Sequence, residues 1–316
     1  MAKATGEPTK LSKKAYDSKV SRVRQDLVNL QIDLQQSRTK IVLILAGVEG
    51  AGRGAALNTL MGWLDPRNVE TIAVDAPSNE ESERPFMWRY WRSLPSSGRI
   101  GIFVDSWYTQ TLREETDNRK DLDKLGDELE RIRHFERLLA DSDTLVIKLW
   151  FHLSKEDQGE RLTNLQADRS TAWRVTDHQM RAHKAYGRLS RTADHILAET
   201  DRPGAHWDMI ESVNSKTRNL NVAQTILRRF RAHHRRISRS NQTAPTKPSR
   251  VVALRPDGRQ RLLELPLDHK LSSSSYEAKR EKWLGRLNRA IRRAAEAKRT
   301  VVFVFEGQDA AGKGGA

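Results

Sequence analysis

At 316 residues the chain is long enough to bury one large α/β core or two smaller ones. It has no cysteine, which excludes disulfides and thiolate zinc sites, and no apolar run approaching the ~20 residues of a membrane span. A net charge of +15 calls for an anionic partner: nucleic acid, inorganic phosphate chains or acidic lipid share that chemistry, and the choice falls to motifs.

Residues 1–15 are polar and read as a loose N-terminus without the hydrophobic stretch of a signal peptide, so a cytoplasmic protein with no membrane partner is expected. From Tyr16 an amphipathic helix is predicted, with Tyr16, Val20, Leu27, Leu30 and Leu34 at helical spacing. Ile41–Ala46 is β-branched and uncharged, the pattern of a buried parallel strand. It runs into Gly47-Val48-Glu49-Gly50-Ala51-Gly52-Arg53-Gly54 and then a helix-forming stretch from Ala55 to Leu64. A second strand is predicted at Glu70–Asp75, a helix over 79–93, a third strand at Arg99–Val104, charged helix over about 110–140 and a fourth strand at Thr144–Leu153. The remainder to about Ala232 reads as helical. Such alternation implies an α/β fold, a doubly wound parallel sheet with helices on both faces.

Between Arg228 and Arg255 stand nine Lys or Arg and no acid, read as a basic interdomain linker over 233–261; a polyanion-binding arm is the alternative. The chain then repeats itself at an offset of 260 residues without a gap. Leu11, Tyr16, Lys19 and Leu27 face Leu271, Tyr276, Lys279 and Leu287; the strand Ile41–Ala46 faces Val301–Glu306; Gly47, Gly52 and Gly54 face Gly307, Gly312 and Gly314. Residues 16–232 are thus expected to be one domain and 262–316 the start of a second copy that stops short of its own sheet, making this chain a fragment.

The second loop, Gly307-Gln308-Asp309-Ala310-Ala311-Gly312-Lys313-Gly314, has the G-x4-G-K form after a strand-like run. Glycines let backbone N–H groups converge on phosphate oxygens, a helix start adds its dipole, and Lys313 adds a mobile charge. Gly314 stands where a Mg²⁺-binding Ser or Thr is usual, which leaves Asp309 as the carboxylate for the metal. In the first loop Glu49 replaces Asp309 and Arg53 replaces Lys313. Arginine keeps the charge but reaches with a bulkier planar fork. Phosphate binding by Gly47, Glu49, Gly50, Gly52, Arg53 and Gly54 is expected more than turnover, with a structural remnant as the third possibility.

A loop of the form G-x-D-x-A-G-K-G-G resembles that of the polyphosphate kinase 2 family, and other segments of the first copy agree: Asp75–Glu81, Phe86–Ile100, Phe103–Tyr108, Lys148–Gln158, Trp173–Asp177 and Thr200–Trp207. The two-copy form resembles the fused members, which are polyphosphate:AMP phosphotransferases. The resemblance implies a P-loop kinase-like fold with a helical lid and phosphoryl transfer from inorganic polyphosphate to AMP giving ADP by the full-length protein, this chain being expected as a weakly active or inactive fragment, with Mg²⁺ as cofactor, Asp309 and Lys313 as catalytic groups, and a homo-oligomer. A non-catalytic polyphosphate-binding, dimerising module is the alternative, and nucleic acid is disfavoured as a partner. Departures are specific: Val104 occupies the family's Walker B aspartate position and Asp105 its arginine. A one-residue shift would turn Asp105 from the loop unless a bulge re-aims it, so its metal role is open. Arg89, Arg161 and Arg181 are further substrate candidates, while Trp88, Trp91 and Trp107 read as core and His183 shows no metal-ligand spacing.

Overall fold

The computed structural model describes residues 13–74, 77–116, 122–168, 172, 175–243, 270–304 and 306. They fall into two compact units, Met1–Thr243 and Ala244–Ala316. In the first, α1 (Lys13–Gln35) precedes β1 (Lys40–Gly47), α2 (Arg53–Met61) and β2 (Val69–Ile72). Two short helices, α3 (Asn79–Ser82) and α4 (Trp88–Trp91), lead to β3 (Ile100–Phe103). Then come α5 (Thr109–Thr116), α6 (Leu122–Asp141), β4 (Thr144–His152), α7 (Lys155–Ala167), α8 (Asp177–Lys184), α9 (Tyr186–Thr200), β5 (Trp207–Glu211) and α10 (Ser215–Thr243).

The five strands form one parallel sheet in the order β2-β3-β1-β4-β5. Side chains of a strand alternate between faces, and β1 divides its apolar residues accordingly. Ile41, Leu43 and Leu45 join Leu145, Ile147 and Leu149 of β4 under α1, α2 and α10. Val42, Ile44 and Ala46 join Val146 and Trp150 under Trp107, Leu129, Phe135 and Ile196. Burying each of the large aliphatic residues contributes about 1.5–3 kcal/mol. Both faces are covered, as all-parallel sheets require. With β3 on one side of β1 and β4 on the other, the connections leaving the C-terminal ends diverge and open a crevice.

The expected fold is thus the observed one, with local corrections. The helix expected over 79–93 is split into α3 and α4: Ser78 and Glu81 form a capping box at the first, and Pro85 lies between them. The segment 110–140 is likewise two helices, and β2 begins at Val69 and ends at Ile72. The stretch expected to be helical up to Ala232 contains a fifth strand, β5, and α10 continues to Thr243 through the first residues assigned to the linker. α1 begins at Lys13, inside the segment expected to be loose.

In the second unit, α11 (Ser273–Glu296) starts at Ser272, whose side chain accepts from the Ser275 amide at 3.3 Å. Val301–Val304, expected as a strand, lie outside any helix or strand and are exposed. Gly307, Asp309, Gly312, Lys313 and Gly314 lie outside the described residues, as do Asp75, Ala76, Trp173 and Arg174.

Candidate phosphate-binding site

β1 ends on Gly47, and the backbone there turns through φ 142° so close to β4 that a Cβ would overlap the Phe151 backbone. Val48 N–H donates to Phe151 O at 2.9 Å, which ties the first loop residue to the neighbouring strand. The loop then passes Gly50 (φ 77°) and Gly52 (φ 83°), both in the left-handed region. Gly52 is the N-cap of α2, and no side chain caps that helix start. The first-turn amides therefore face the cleft end of the sheet with the positive end of the helix dipole behind them. This is the strand–loop–helix cradle expected from the sequence.

Two arginines that the motif does not contain support the loop from below. Arg161 of α7 donates to Gly50 O at 2.9 Å, Ser212 O at 2.8 Å and Val213 O at 3.1 Å. Arg218 of α10 is buried, and its guanidinium lies where a Cβ on Gly52 would go. Its Nε donates to Asn219 Oδ1 at 3.1 Å. Burial, and then the nearby Arg161 charge, bring the Arg218 pKa down to about 10. Burial likewise lowers that of Arg161. The loop thus rests on two guanidinium groups. Gln158, also buried, donates from Nε2 to Glu49 O at 2.8 Å and meets His183 Nδ1 at 2.8 Å through Oε1. His183 is accordingly a link between α8 and α7.

Inside the loop, Arg53 Nη2 donates to Glu49 Oε1 at 2.6 Å, one helical turn apart. Both line a cleft of about 790 Å³ with Gly47, Arg113, His178 and Asn221. Asp105 follows β3 in a bend, where strand alternation no longer fixes its direction, and pairs with Arg113 Nη2 at 3.6 Å. Glu49 in the loop and Asp105 after β3, the two carboxylates that the loop motif and the strand end offer to a metal, are thus each matched to an arginine. Among the described residues no group of three acidic or histidine side chains could hold one. The described donors of the first unit do not fit a Mg²⁺ site.

Behind the cleft lies an ionic cluster without a sequence signature. Lys148 of β4 and Glu136 of α6 are both buried and 2.8 Å apart. Glu136 Oε1 accepts from Tyr108 Oη at 2.6 Å and Trp107 Nε1 at 3.2 Å, and Lys148 Nζ donates to Thr200 O at 2.7 Å. Burial pushes the Lys148 pKa down and the Tyr108 pKa well up. The cluster fixes the segment after β3 against β4, α6 and α9.

The structure brings Gly47, Glu49, Gly50, Gly52, Arg53 and Gly54 together, and Arg161 joins them through backbone carbonyls. Arg89 stands apart: it is buried on α4, paired with Glu81 at 3.3 Å, and is not among the described lining residues of the cleft. Arg181 is exposed on α8. Trp107 is core as expected, whereas Trp91 is 44% exposed and Trp88 takes the guanidinium of Arg92 over its ring at 4.7 Å.

A glycine loop between a parallel strand and an uncapped helix start, at the open end of a doubly wound sheet, is the arrangement of a P-loop kinase-like fold. Comparison with known proteins narrows the class. Residues 10–238 and 270–316 match the model of the polyphosphate kinase 2 family, and the chain belongs to that family. It is 34% identical over 307 residues to a polyphosphate:AMP phosphotransferase of Pseudomonas aeruginosa, covering 97% of this chain and 61% of the relative. It is 33% identical to one of Pseudomonas syringae, covering 95% and 60%. A crystal structure described as a polyphosphate kinase 2 from Pseudomonas aeruginosa superposes with a TM-score of 0.76 at 32% identity, over 96% of this chain and 58% of that one. Polyphosphate kinase 2 from Arthrobacter aurescens shares the fold, with a TM-score of 0.68 at 22% identity over 73% and 86% of the two chains. The chain spans about three fifths of the length of the two Pseudomonas relatives.

Proposed function

We propose that the protein transfers a phosphoryl group from inorganic polyphosphate to AMP, giving ADP. The observation that carries this reading is the cradle formed by Gly47–Gly54 and the start of α2, in a chain similar to two polyphosphate:AMP phosphotransferases. In the reaction an AMP phosphate oxygen attacks the terminal phosphorus of the chain in line. The bridging P–O bond breaks, and the shortened chain leaves with the bridging oxygen. Catalysis rests on positioning and charge neutralisation. The loop amides and the helix dipole hold the phosphates, and the arginines beneath fix the loop. Two differently equipped loops at an offset of 260 residues support tandem copies, in which Lys313 and Asp309 carry the chemistry. The family's general dependence on a divalent metal then points to Mg²⁺ at Asp309. A cytoplasmic homo-oligomer, without nucleic acid or membrane partners, is the setting proposed for it. No described helix is long and apolar enough to cross a membrane.

The test is ADP formation from AMP and polyphosphate by the protein, its Arg53→Ala variant and its Lys313→Ala variant. Loss of ADP on Lys313→Ala supports the assignment to the second loop; no ADP from the unmodified protein at any Mg²⁺ concentration overturns the reading.

The Glu49–Arg53 and Asp105–Arg113 pairs favour a second reading for residues 13–243: a non-catalytic polyphosphate-binding module. It requires saturable polyphosphate binding that survives loss of turnover. ADP formation abolished by Arg53→Ala and untouched by Lys313→Ala would sink it.

A further inference from the structure

α1 and α10 run side by side in the same direction: Lys216 Nζ stands 5.2 Å from the Tyr16 ring centroid near their starts, and Arg231 pairs with Asp26 at 3.0 Å further along. Between them lies a groove of about 510 Å³, separate from the cleft at the loop. Among the described residues its walls carry five cations, Lys19 and Arg22 from α1 and Arg228, Arg231 and Arg235 from α10, against the single carboxylate of Asp26. Spacings of three and four residues bring each set onto one helix face, so two rows of positive charge face each other across an apolar floor of Val23 and Leu227.

Arg231 is answered by Asp26, and Arg228 by Asp208 at 2.8 Å. Lys19, Arg22 and Arg235 are exposed and have no ion-pair partner among the described residues. Like charges held along a groove at this density call for a linear anion. Among the described residues no aromatic side chain lines the groove, so they offer nothing for a base to stack on; that favours a bare phosphate chain over single-stranded nucleic acid. The groove opens along α10 from Gln224 onward, and the start of that helix is tied to the loop. α10 starts at Ser215, directly after the Ser212 and Val213 carbonyls that Arg161 joins to Gly50.

We propose that the α1–α10 groove is a docking track for inorganic polyphosphate, holding a stretch of the chain outside the catalytic cleft. The assignment rests on polyphosphate being the substrate class, but its readout is binding and needs no turnover. The experiment measures binding of long-chain polyphosphate and of tripolyphosphate to the protein and to K19A/R22A/R235A across a range of salt. Long-chain affinity should fall about tenfold or more, with a salt slope shallower by roughly three, about one for each cation removed. Tripolyphosphate, too short to leave the cleft, should bind as before. All three side chains are exposed, so the melting temperature checks that the fold is intact. As an independent measurement, long-chain polyphosphate and not tripolyphosphate should protect Lys19 from acetylation. Unchanged long-chain affinity, or Lys19 labelling indifferent to the chain, overturns the track. So does single-stranded or duplex DNA that competes phosphate for phosphate and loses affinity equally in the variant, which makes the groove a nucleic-acid site. Should the protein yield no ADP while the variant still loses the long chain, the proposed reaction falls and the track stands.

Discussion

Arg53 spans one helical turn to donate to Glu49 at 2.6 Å, so the cation inside the first loop is satisfied by an acid of the same loop. An incoming phosphate must compete with that carboxylate for the guanidinium. It must also approach Glu49 itself, a like charge. Glu49→Ala removes both obstacles. With partly exposed partners the gain is about 1 kcal/mol, or roughly fivefold tighter tripolyphosphate binding without metal. Isothermal titration measures it, and equal affinity in the two proteins would show that the ion pair does not gate the loop.

Gly52 is held at φ 83° with the Arg218 guanidinium against its Cα. Gly52→Ala places a methyl on that guanidinium and keeps a backbone conformation unfavourable to alanine, so a loss of about 1–3 kcal/mol is expected in urea unfolding. Arg218→Ala in the same chain removes the clash and leaves the strain. The double variant should therefore lose less than the sum of the singles. Additive losses would mean that Arg218 does not set the residue at 52.

Lys148→Met leaves Glu136 buried with Tyr108 and Trp107 as its partners among the described residues. Removing one member of a buried pair costs about 3–5 kcal/mol. Denaturant midpoints at neutral pH read this directly. Replacing both members, Lys148→Met with Glu136→Leu, should restore a large part of the loss, because an apolar pair carries no unpaired charge.

Several of these relationships have no trace in the sequence, and the reason is geometric. Gly47–Gly54 was legible because a phosphate-wrapping loop needs glycines at fixed spacing after an apolar strand, and β1 alternates cleanly between two cores. β5 escaped notice because it is a short edge strand whose Met209 is 57% exposed and whose Ile210 alone is buried. Lys148 falls within an otherwise apolar run, and nothing local names Glu136, twelve residues earlier on a different element, as its partner. Arg161 had the residue type of a phosphate ligand; only the fold shows its guanidinium turned to three carbonyls. The break between α3 and α4 was in plain view at Pro85, but the flanking helix formers masked it.

Alkaline pH gives a separate check on the second core. Burial pushes Tyr90 up to about 12, whereas an unfolded tyrosine ionises near 10. The folded chain keeps a proton that the unfolded chain gives up. The Tyr90 contribution is therefore complete below pH 10 and is lost as pH rises from 10 through 12. Relative to Tyr90→Phe, the native protein should lose up to about 1.4 kcal/mol per pH unit in that window. Buried Lys148 titrates with the opposite sign in both proteins and drops out of the difference. Parallel stability curves above pH 10 would show that the hydroxyl is not protected.

Gln158 has a mechanical consequence. A single amide joins the Glu49 carbonyl to His183, so α7, α8 and the glycine turn share one fastening. If α8 swings away to admit a substrate, that fastening breaks and the cradle slackens; when the substrate is seated, re-forming it tightens both. Access and grip are then two readings of one fastening, and a cradle held this way is most ordered when its cargo is aboard.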